Sequence, residues 1–361
     1  ALFPPGRGAR VRRLLRIGLR GLGLLAPVAA LGAGAALFLV RSPYQGWTGG
    51  EVVVELPSGA SARSILARLE RAGVIRNRHL AGAAYRALFE GKTLKAGEYR
   101  FTRPVSTEEV LRDLVEGNVV THRLTIPEGW TAEEVFALLE RERLAPAEPL
   151  RELFLKPSLF PEVPPDAPTL EGFLGPETHL FTRSQRPREI VATLVKAWAR
   201  SLPEGFAERA AALGRTPLEA VTLASLVEKE TGVARERPLV SAVYHNRLRV
   251  GMPLQCDPTV VYALKRRGLW TGALTRDGLA VDDPYNTYAR GGLPPGPIAS
   301  PGAAALEAAV APAGVPYLYF VAVGDGSGEH RFAVTYPEHL ENVALYRRAR
   351  TARETVSGAT R

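Results

Sequence analysis

The sequence contains a single cysteine, Cys256, among its 361 residues. No disulfide can form within the chain, so the fold must be stabilised by packing. The six histidines are scattered and show no HExxH spacing, and the glycines form no phosphate-binding loop. We therefore predict no metal and no cofactor. The 46% hydrophobic and 23% charged residues are typical of a packed protein with room for two or three domains.

Acidic residues are absent from the first 50 positions, which contain seven arginines. Most of the net charge of +9 therefore belongs to this end, and it does not predict binding to nucleic acid. Six of the arginines precede residues 21–40, an uncharged run that is long enough to cross a bilayer. Arginines on one flank of a span keep that flank in the cytoplasm.

The sequence thus predicts a basic cytoplasmic tail over residues 1–20 and a single transmembrane helix over residues 21–41. The protein would be a single-pass protein of the cytoplasmic (inner) membrane, with everything after the span outside the cytoplasm. A cleaved signal peptide is the alternative, although the apolar run is long for one.

Short strand and helix patterns alternate along the rest of the chain, which predicts an α+β fold. Residues 51–118 are predicted to be a small α+β domain, and residues 119–350 a larger one that contains a proline-rich region. The larger domain is expected to end in a β-hairpin and a helix. The charged residues 351–361 are predicted to be a flexible tail.

The most informative helix pattern covers residues 217–231. Thr216 is a typical N-cap, Pro217 suits the first turn, and Glu219 stands where it can complete a capping box. Gly232 is the expected stop. Further helices are predicted at residues 187–200 and 238–249.

Glu230 lies on the apolar face of this predicted helix. It follows Leu223, Leu226 and Val227 at helical spacing, whereas Glu228 is rotated away by about 200°. A carboxyl among aliphatic groups keeps its proton to higher pH, which is what a general acid requires. The alternative is a solvated helix end, or an ion pair of Glu230 with Arg235 or Arg237.

Four polar or Gly/Pro-rich segments follow one another in the second half of the chain. They are Glu-Lys-Glu-Thr at 228–231, Leu-Gln-Cys-Asp-Pro-Thr at 254–259, Tyr-Asn-Thr-Tyr at 285–288 and Gly-Leu-Pro-Pro at 292–295. In this order and as a set they are specific, and the chain resembles the membrane-anchored endolytic murein transglycosylase (YceG-like) family over nearly its whole length.

The resemblance implies a LysM-like domain over residues 51–118 and a transglycosylase domain over residues 119–350. It implies that Glu230 is the catalytic acid and that the enzyme is a lyase without a cofactor. The substrate would be nascent peptidoglycan, cut within the strand between N-acetylmuramic acid and N-acetylglucosamine to leave 1,6-anhydro ends. Peptidoglycan synthases would be candidate partners.

The resemblance also favours a substrate-binding role for polar residues near the Gly/Pro-rich loops. Loop bracing is the alternative for Gln255, Tyr285, Asn286 and Tyr288, and helix capping is the alternative for Asn246 and Asp257. The full predicted set is Asn246, Gln255, Asp257, Tyr285, Asn286 and Tyr288.

The chain departs from the family pattern at two places. Residues 171–179 are Glu-Gly-Phe-Leu-Gly-Pro-Glu-Thr-His, where the family commonly has Glu-Gly followed by aromatic residues and then Pro-Asp-Thr-Tyr. The resemblance therefore does not extend to a sugar-stacking platform in this segment. Cys256 replaces a small polar residue and is expected to fill space in the packing.

Two alternatives to the lyase prediction stay open. A hydrolytic muramidase would need a second carboxylate, for which Asp257, Asp282 and Asp283 are candidates. A wall-binding scaffold would use Glu230 only structurally.

Overall fold

The computed structural model describes residues 27–358, and its helices and short two-stranded sheets confirm the α+β class. The predicted tail over residues 1–20 lies outside the described residues, as do residues 21–26 of the predicted span. The first described helix, α1, covers residues 27–41. No helix within residues 27–358 is both long and apolar enough to span a bilayer, so the membrane span stays a prediction.

The chain divides into two compact units. The first unit ends at His122 and also includes Thr182–Ser184. The elements of this unit after α1 are β1 (Val52–Leu56), α2 (Ala62–Arg71), α3 (Arg78–Leu88), β2 (Gly97–Phe101) and α4 (Thr107–Glu116). The β1 and β2 strands pair antiparallel, with Val54 opposite Tyr99. Helices α2, α3 and α4, together with Val40 at the end of α1, supply the helical residues of its core.

Local sequence explains the helix starts in this first unit. The side chains of Ser61 and Asn77 accept hydrogen bonds from backbone N–H groups in the first turns of α2 and α3. Ser106 and Glu109 form a complete capping box at α4, which ends at a left-handed Gly117. The apolar side chains of these elements, Leu56 and Leu69 among them, pack together in the core of this unit.

The second unit holds the remaining residues from Arg123 onward. The elements are β3 (His122–Thr125), α5 (Ala132–Arg141), α6 (Ala147–Phe154), β4 (Thr178–Phe181), α7 (Pro187–Ser201), α8 (Phe206–Ala212), α9 (Pro217–Glu230), α10 (Arg237–Arg249), α11 (Asp257–Arg266), α12 (Arg276–Leu279), α13 (Ala303–Val310), β5 (Tyr319–Ala322), β6 (His330–Ala333) and α14 (Tyr336–Gly358). The β3 and β4 strands form a short two-stranded sheet, and β5 and β6 form the predicted C-terminal hairpin, which is confirmed.

Helix α9 passes through the core of the second unit. It starts at the predicted capping box of Thr216 and Glu219, and it packs against α8, α10, α11 and α13. Its residues from Ala220 to Val227 are all buried, so partners enclose the helix on every side, including the face that carries Leu223, Leu226 and Val227. The predicted stop is wrong, because the helix ends where Thr231 turns extended and not at a left-handed Gly232.

Gly175, at one of the departures from the family pattern, lies where the chain meets α7. A Cβ added there would stand 2.5 Å from the backbone nitrogen of Trp198 and 2.9 Å from the carbonyl carbon of Ala197. Its own N–H donates to the Leu194 carbonyl at 3.0 Å. Since backbone atoms cannot yield as a flexible side chain can, this close approach explains glycine at this position.

Candidate functional site

Glu230 is the last residue of α9, and its side chain is partly buried. The Tyr244 hydroxyl, on α10, donates a 2.8 Å hydrogen bond to Glu230 Oε1. The Cys256 thiol, just before α11, donates to the same carboxyl group. The alternative ion pairs are wrong, because Arg235 pairs with Glu329 and Arg237 with Glu228.

Burial is the largest influence on Glu230 and raises the pKa of its carboxyl above the usual glutamate value. The hydrogen bonds from Cys256 and Tyr244 and the charge of His330 lower that pKa, and nearby Asp257 raises it. The net result is an upward shift. The group can therefore hold a proton at a higher pH than an exposed glutamate and donate it to a bound molecule.

Glu228 shows that burial alone does not single out Glu230. The Glu228 side chain is 7% exposed, and burial raises its pKa as well. However, Glu228 Oε1 lies 3.5 Å from an Arg237 guanidinium nitrogen, and Oε2 accepts the Gly302 N–H at 3.1 Å. Glu228 therefore braces α9 against the residue that caps α13, whereas Glu230 is held by two neutral donors.

The exposed residues at the start of α11 form a polar surface beside Glu230. Tyr288 donates a 2.5 Å hydrogen bond to Asp257 Oδ1, and the negative charge of Asp257 acts on Glu230. Gln255 is exposed and has a left-handed backbone with φ of 49°, which is uncommon for a residue other than glycine. These three predicted site residues thus lie in one region, around the buried Cys256.

The N-cap alternative for Asp257 is wrong. Cys256 occupies the cap position of α11 and Asp257 is the first helical residue, without a side-chain capping bond. The Asp257 carboxylate instead accepts the hydrogen bond from the Tyr288 hydroxyl. The cap is taken by Cys256 because the Thr287 hydroxyl accepts its N–H at 3.0 Å and holds the chain extended there.

The other three predicted site residues are buried and contact other parts of the protein. Asn246 Nδ2 donates to the carbonyls of Val315 and Tyr317, both at 2.9 Å, and Asn286 Nδ2 donates to two further backbone carbonyls. Tyr285 is buried, with its ring against Tyr262. In the described part of the chain, Asn286 reaches the polar surface only indirectly, because its Oδ1 accepts the Tyr288 N–H.

Three residues near Glu230 carry no signal in the local sequence. Tyr244 and Arg247 lie inside the α10 pattern, and His330 lies in the C-terminal hairpin. Arg247 is 7% exposed, its charge acts on Glu230, and its guanidinium donates to the backbone carbonyls of Leu254 and Leu318 at 2.7 Å each. Only the packing of α10 and the hairpin against the end of α9 reveals these residues.

Another buried carboxyl with a raised pKa, Glu171, lines a separate cavity of about 410 Å³. Burial raises the pKa of Glu171 to about 7. Glu171 Oε1 accepts a hydrogen bond from the Ala132 N–H at 2.9 Å, and Oε2 accepts one from the Tyr262 hydroxyl at 3.2 Å. These bonds tie the segment at Glu171 to α5 and α11. No cluster of three or more metal-binding side chains occurs within residues 27–358.

Known proteins resemble this chain over most of its length. A sequence model of the YceG-like family matches residues 54–345. The endolytic murein transglycosylase of Streptococcus pneumoniae (strain D39) is 30% identical over 323 residues, which cover 81% of this chain and 58% of that protein. This chain therefore spans little more than half of that relative's length.

Two further comparisons extend the match. The endolytic murein transglycosylase of Bacillus subtilis (strain 168) is 29% identical over 312 residues, covering 80% of this chain and 82% of that protein. The crystal structure of a YceG-like protein from Listeria monocytogenes, 29% identical, gives a TM-score of 0.55 and covers 81% of this chain and 99% of that one. The family match spans both units, and the chain belongs to the YceG-like family.

Proposed function

We propose that this protein is an endolytic lytic transglycosylase that cleaves nascent peptidoglycan strands outside the cytoplasm. The bond cleaved is the one from N-acetylmuramic acid to N-acetylglucosamine. The names of its relatives support the class of activity. The observation that carries the proposal is a half-buried carboxyl, Glu230, held by the neutral donors Tyr244 and Cys256 beside an exposed polar surface.

Glu230 would act first as an acid. Its proton passes to the glycosidic oxygen, the bond from that oxygen to C1 of the muramyl sugar breaks, and positive charge develops on the ring. The Tyr244 hydrogen bond orients the carboxyl for this transfer. Glu230 is then a carboxylate, which the same hydrogen bond stabilises.

Glu230 would next act as a base. The 6-hydroxyl of the muramyl sugar bonds to C1 and gives its proton to the Glu230 carboxylate, which restores the starting enzyme. The products are a strand with a 1,6-anhydro end and a strand with a free 4-hydroxyl. No water is consumed, so one carboxyl group is sufficient.

Gln255, Asp257 and Tyr288 are the residues we propose for contact with the sugars, because they are exposed beside Glu230. Asn246, Tyr285 and Asn286 would support binding indirectly by bracing the surrounding loops, since their polar groups or rings are already engaged. For Tyr285 and Asn286, loop bracing is the alternative that the sequence also allows.

A hydrolytic muramidase is the second candidate, and Asp257 is the observation that favours it. Its charge acts on Glu230, so it is the best placed of the three candidate second carboxylates. Asp283 is 4% exposed and engaged by the Tyr285 N–H, and Asp282 is exposed and paired with Arg290. A hydrolase would use Asp257 to activate a water or attack C1.

Product analysis distinguishes the two candidates. Purified strands are digested in water labelled with heavy oxygen and analysed by mass spectrometry. We expect new muramyl ends that are one water lighter than reducing ends and carry no label. Labelled reducing ends would overturn the lyase mechanism in favour of the hydrolase, and uncut strands would contradict both.

We further propose that residues 21–41 anchor the protein in the cytoplasmic membrane, with residues 1–20 inside and the catalytic unit outside. The arginines before the apolar run support this orientation. The anchored unit would then lie near peptidoglycan synthases. The protein should stay with membranes through an alkaline carbonate wash, and protease added to spheroplasts should degrade the second unit. Release by the wash would contradict the anchor.

A further inference from the structure

The positive charge of the first unit is concentrated on one pair of helices. Residues 62–88, which include α2 and α3, contain six arginines and one acidic residue, Glu70. The remaining residues of 51–118 contain five Lys or Arg and eight Asp or Glu. This one-sided distribution gives the surface of α2 and α3 a positive potential, which attracts anions.

Three of these arginines line a single groove, which we call the basic groove. Arg63 on α2 and Arg78 and Arg86 on α3 are exposed and border a cavity of about 430 Å³. Among the described residues that line it, none is acidic. Arg78 Nε lies 3.7 Å from Glu70 Oε2, in an ion pair that is open to solvent. The basic groove therefore presents guanidinium groups, whose planar donors match the oxygens of a phosphate.

The turn between α2 and α3 is packed against the residues that follow α1. The Gly46 N–H donates to the Gly73 carbonyl at 2.9 Å, and the Arg76 guanidinium donates to the Pro43 carbonyl at 2.9 Å. Val40, at the end of α1, is 5% exposed and belongs to the core of the first unit. The two helices are thus fixed to the end of α1 by packing and hydrogen bonds.

This attachment holds the basic groove close to the end of the predicted membrane span. Residues 42–46 reach at most about 18 Å even when fully extended. Arg78, at one end of the basic groove, follows Arg76 by two residues. Anionic lipids attract arginines that lie within about a Debye length of the membrane surface, which is about 8 Å at physiological ionic strength. The arginines of α2 and α3 are therefore candidates for contact with phospholipid headgroups.

We propose that the basic groove binds the phosphate headgroups of anionic phospholipids at the outer surface of the cytoplasmic membrane. This inference rests on the proposed anchor, since the anchor brings the groove to the bilayer. The contact would hold the first unit against the membrane, in addition to the tether that α1 supplies.

The test uses the full chain in lipid nanodiscs, with a fluorophore attached at Ala83→Cys. Ala83 is exposed on α3 between His79 and Arg86 at helical spacing, so the fluorophore reports on the edge of the basic groove. Cys256 is buried and is not expected to take the label. The nanodiscs contain phosphatidylcholine with or without phosphatidylglycerol, and a lipid that carries a nitroxide quencher on its headgroup. We expect strong quenching only with phosphatidylglycerol, and its loss at about 1 M salt.

Removing three charges from the basic groove should abolish this lipid dependence. A surface arginine contributes about fivefold to association with an anionic membrane, so three together contribute about a hundredfold. Quenching should fall to the level seen with phosphatidylcholine alone. The combined variant is Arg63→Gln, Arg78→Gln and Arg86→Gln.

The matched control removes the same number of exposed arginines from β2, α4 and the segment between them, and it should keep the quenching. This control combines Arg100→Gln, Arg103→Gln and Arg112→Gln. Equal losses in the two combined variants would show that net charge, and not the basic groove, controls the contact. If the groove variant does not fold by circular dichroism, Arg86→Glu alone is measured under the same criterion.

The anchor and the lipid contact fail separately. A chain retained in both kinds of nanodisc with equal quenching overturns the lipid contact and keeps the anchor. A chain retained in neither overturns the anchor, and sedimentation with preformed vesicles then tests the groove, where binding that ignores lipid charge overturns the inference. Quenching that purified glycan strands abolish would assign the basic groove to glycan and would also overturn it.

Discussion

Replacing Glu230 with glutamine is expected to reduce strand cleavage by roughly 10³–10⁴-fold, toward the upper end of what general acid–base groups contribute. Glutamine preserves the shape of the side chain and can still accept the Tyr244 hydrogen bond seen in the parent. It cannot give a proton to the glycosidic oxygen or take one from the 6-hydroxyl. The measurement is the initial rate of strand shortening on purified uncrosslinked glycan.

Glu228→Gln is the matched control for this substitution. Glu228 lies in the same last turn of α9, but it contacts Arg237 and the Gly302 N–H. The glutamine can still accept the backbone hydrogen bond, so we expect cleavage within a few-fold of the parent. Undiminished cleavage by Glu230→Gln, or equal losses in both variants, would contradict the catalytic assignment of Glu230.

Glu230→Gln also has a predicted effect on thermal stability, which checks the raised pKa of Glu230 independently of activity. The folded protein raises the pKa of Glu230, so deprotonation costs more in the folded than in the unfolded chain. The stability that the protonated Glu230 carboxyl contributes is fully present below the ordinary pKa of glutamate. It is lost as the pH rises through the raised pKa of Glu230 in the folded protein. Glu230→Gln should therefore unfold at a temperature no lower than the parent at pH 8.

Replacing Arg247 with methionine is expected to lower the free energy of unfolding by about 3 kcal/mol, since each buried acceptor left without a donor costs about 1–3 kcal/mol. The Arg247 guanidinium donates to the carbonyls of Leu254 and Leu318, and it lies 5.5 Å from the ring centre of Tyr319. Methionine has a similar length but no donor. Urea-induced unfolding followed by circular dichroism measures the loss.

Arg249→Met tests whether this loss reflects the buried contacts of Arg247. Arg249 is exposed and donates only to the Asn246 side chain among the described contacts, so its replacement should cost no more than about 0.5 kcal/mol. Equal losses in the two variants would show that the Arg247 contacts contribute little. Arg247→Met should also slow cleavage, because Arg247 holds the segment before Gln255 and Cys256.

Much of α9 could be predicted from the sequence because its signals are local. Thr216, Pro217 and Glu219 form the predicted start, and their interactions involve neighbours within one turn. The C-terminal hairpin could be predicted for the same reason, since a glycine-rich turn joins two segments that are rich in strand-forming residues. The end of α9 could not be predicted in this way, because Thr231 rather than Gly232 redirects the chain. The Thr231 hydroxyl accepts a hydrogen bond from the Val233 N–H.

The sequence by itself determined the α+β class, the capped start of α9 and the choice of Glu230, for which helical spacing and the resemblance agree. Only the tertiary structure decided which side chains surround that carboxyl. Tyr244, Cys256 and His330 come from two helix regions and a hairpin that are separated along the chain. Packing between elements sets such contacts, and no pattern of neighbouring residues encodes them, whereas caps and turns depend on residues a few positions apart.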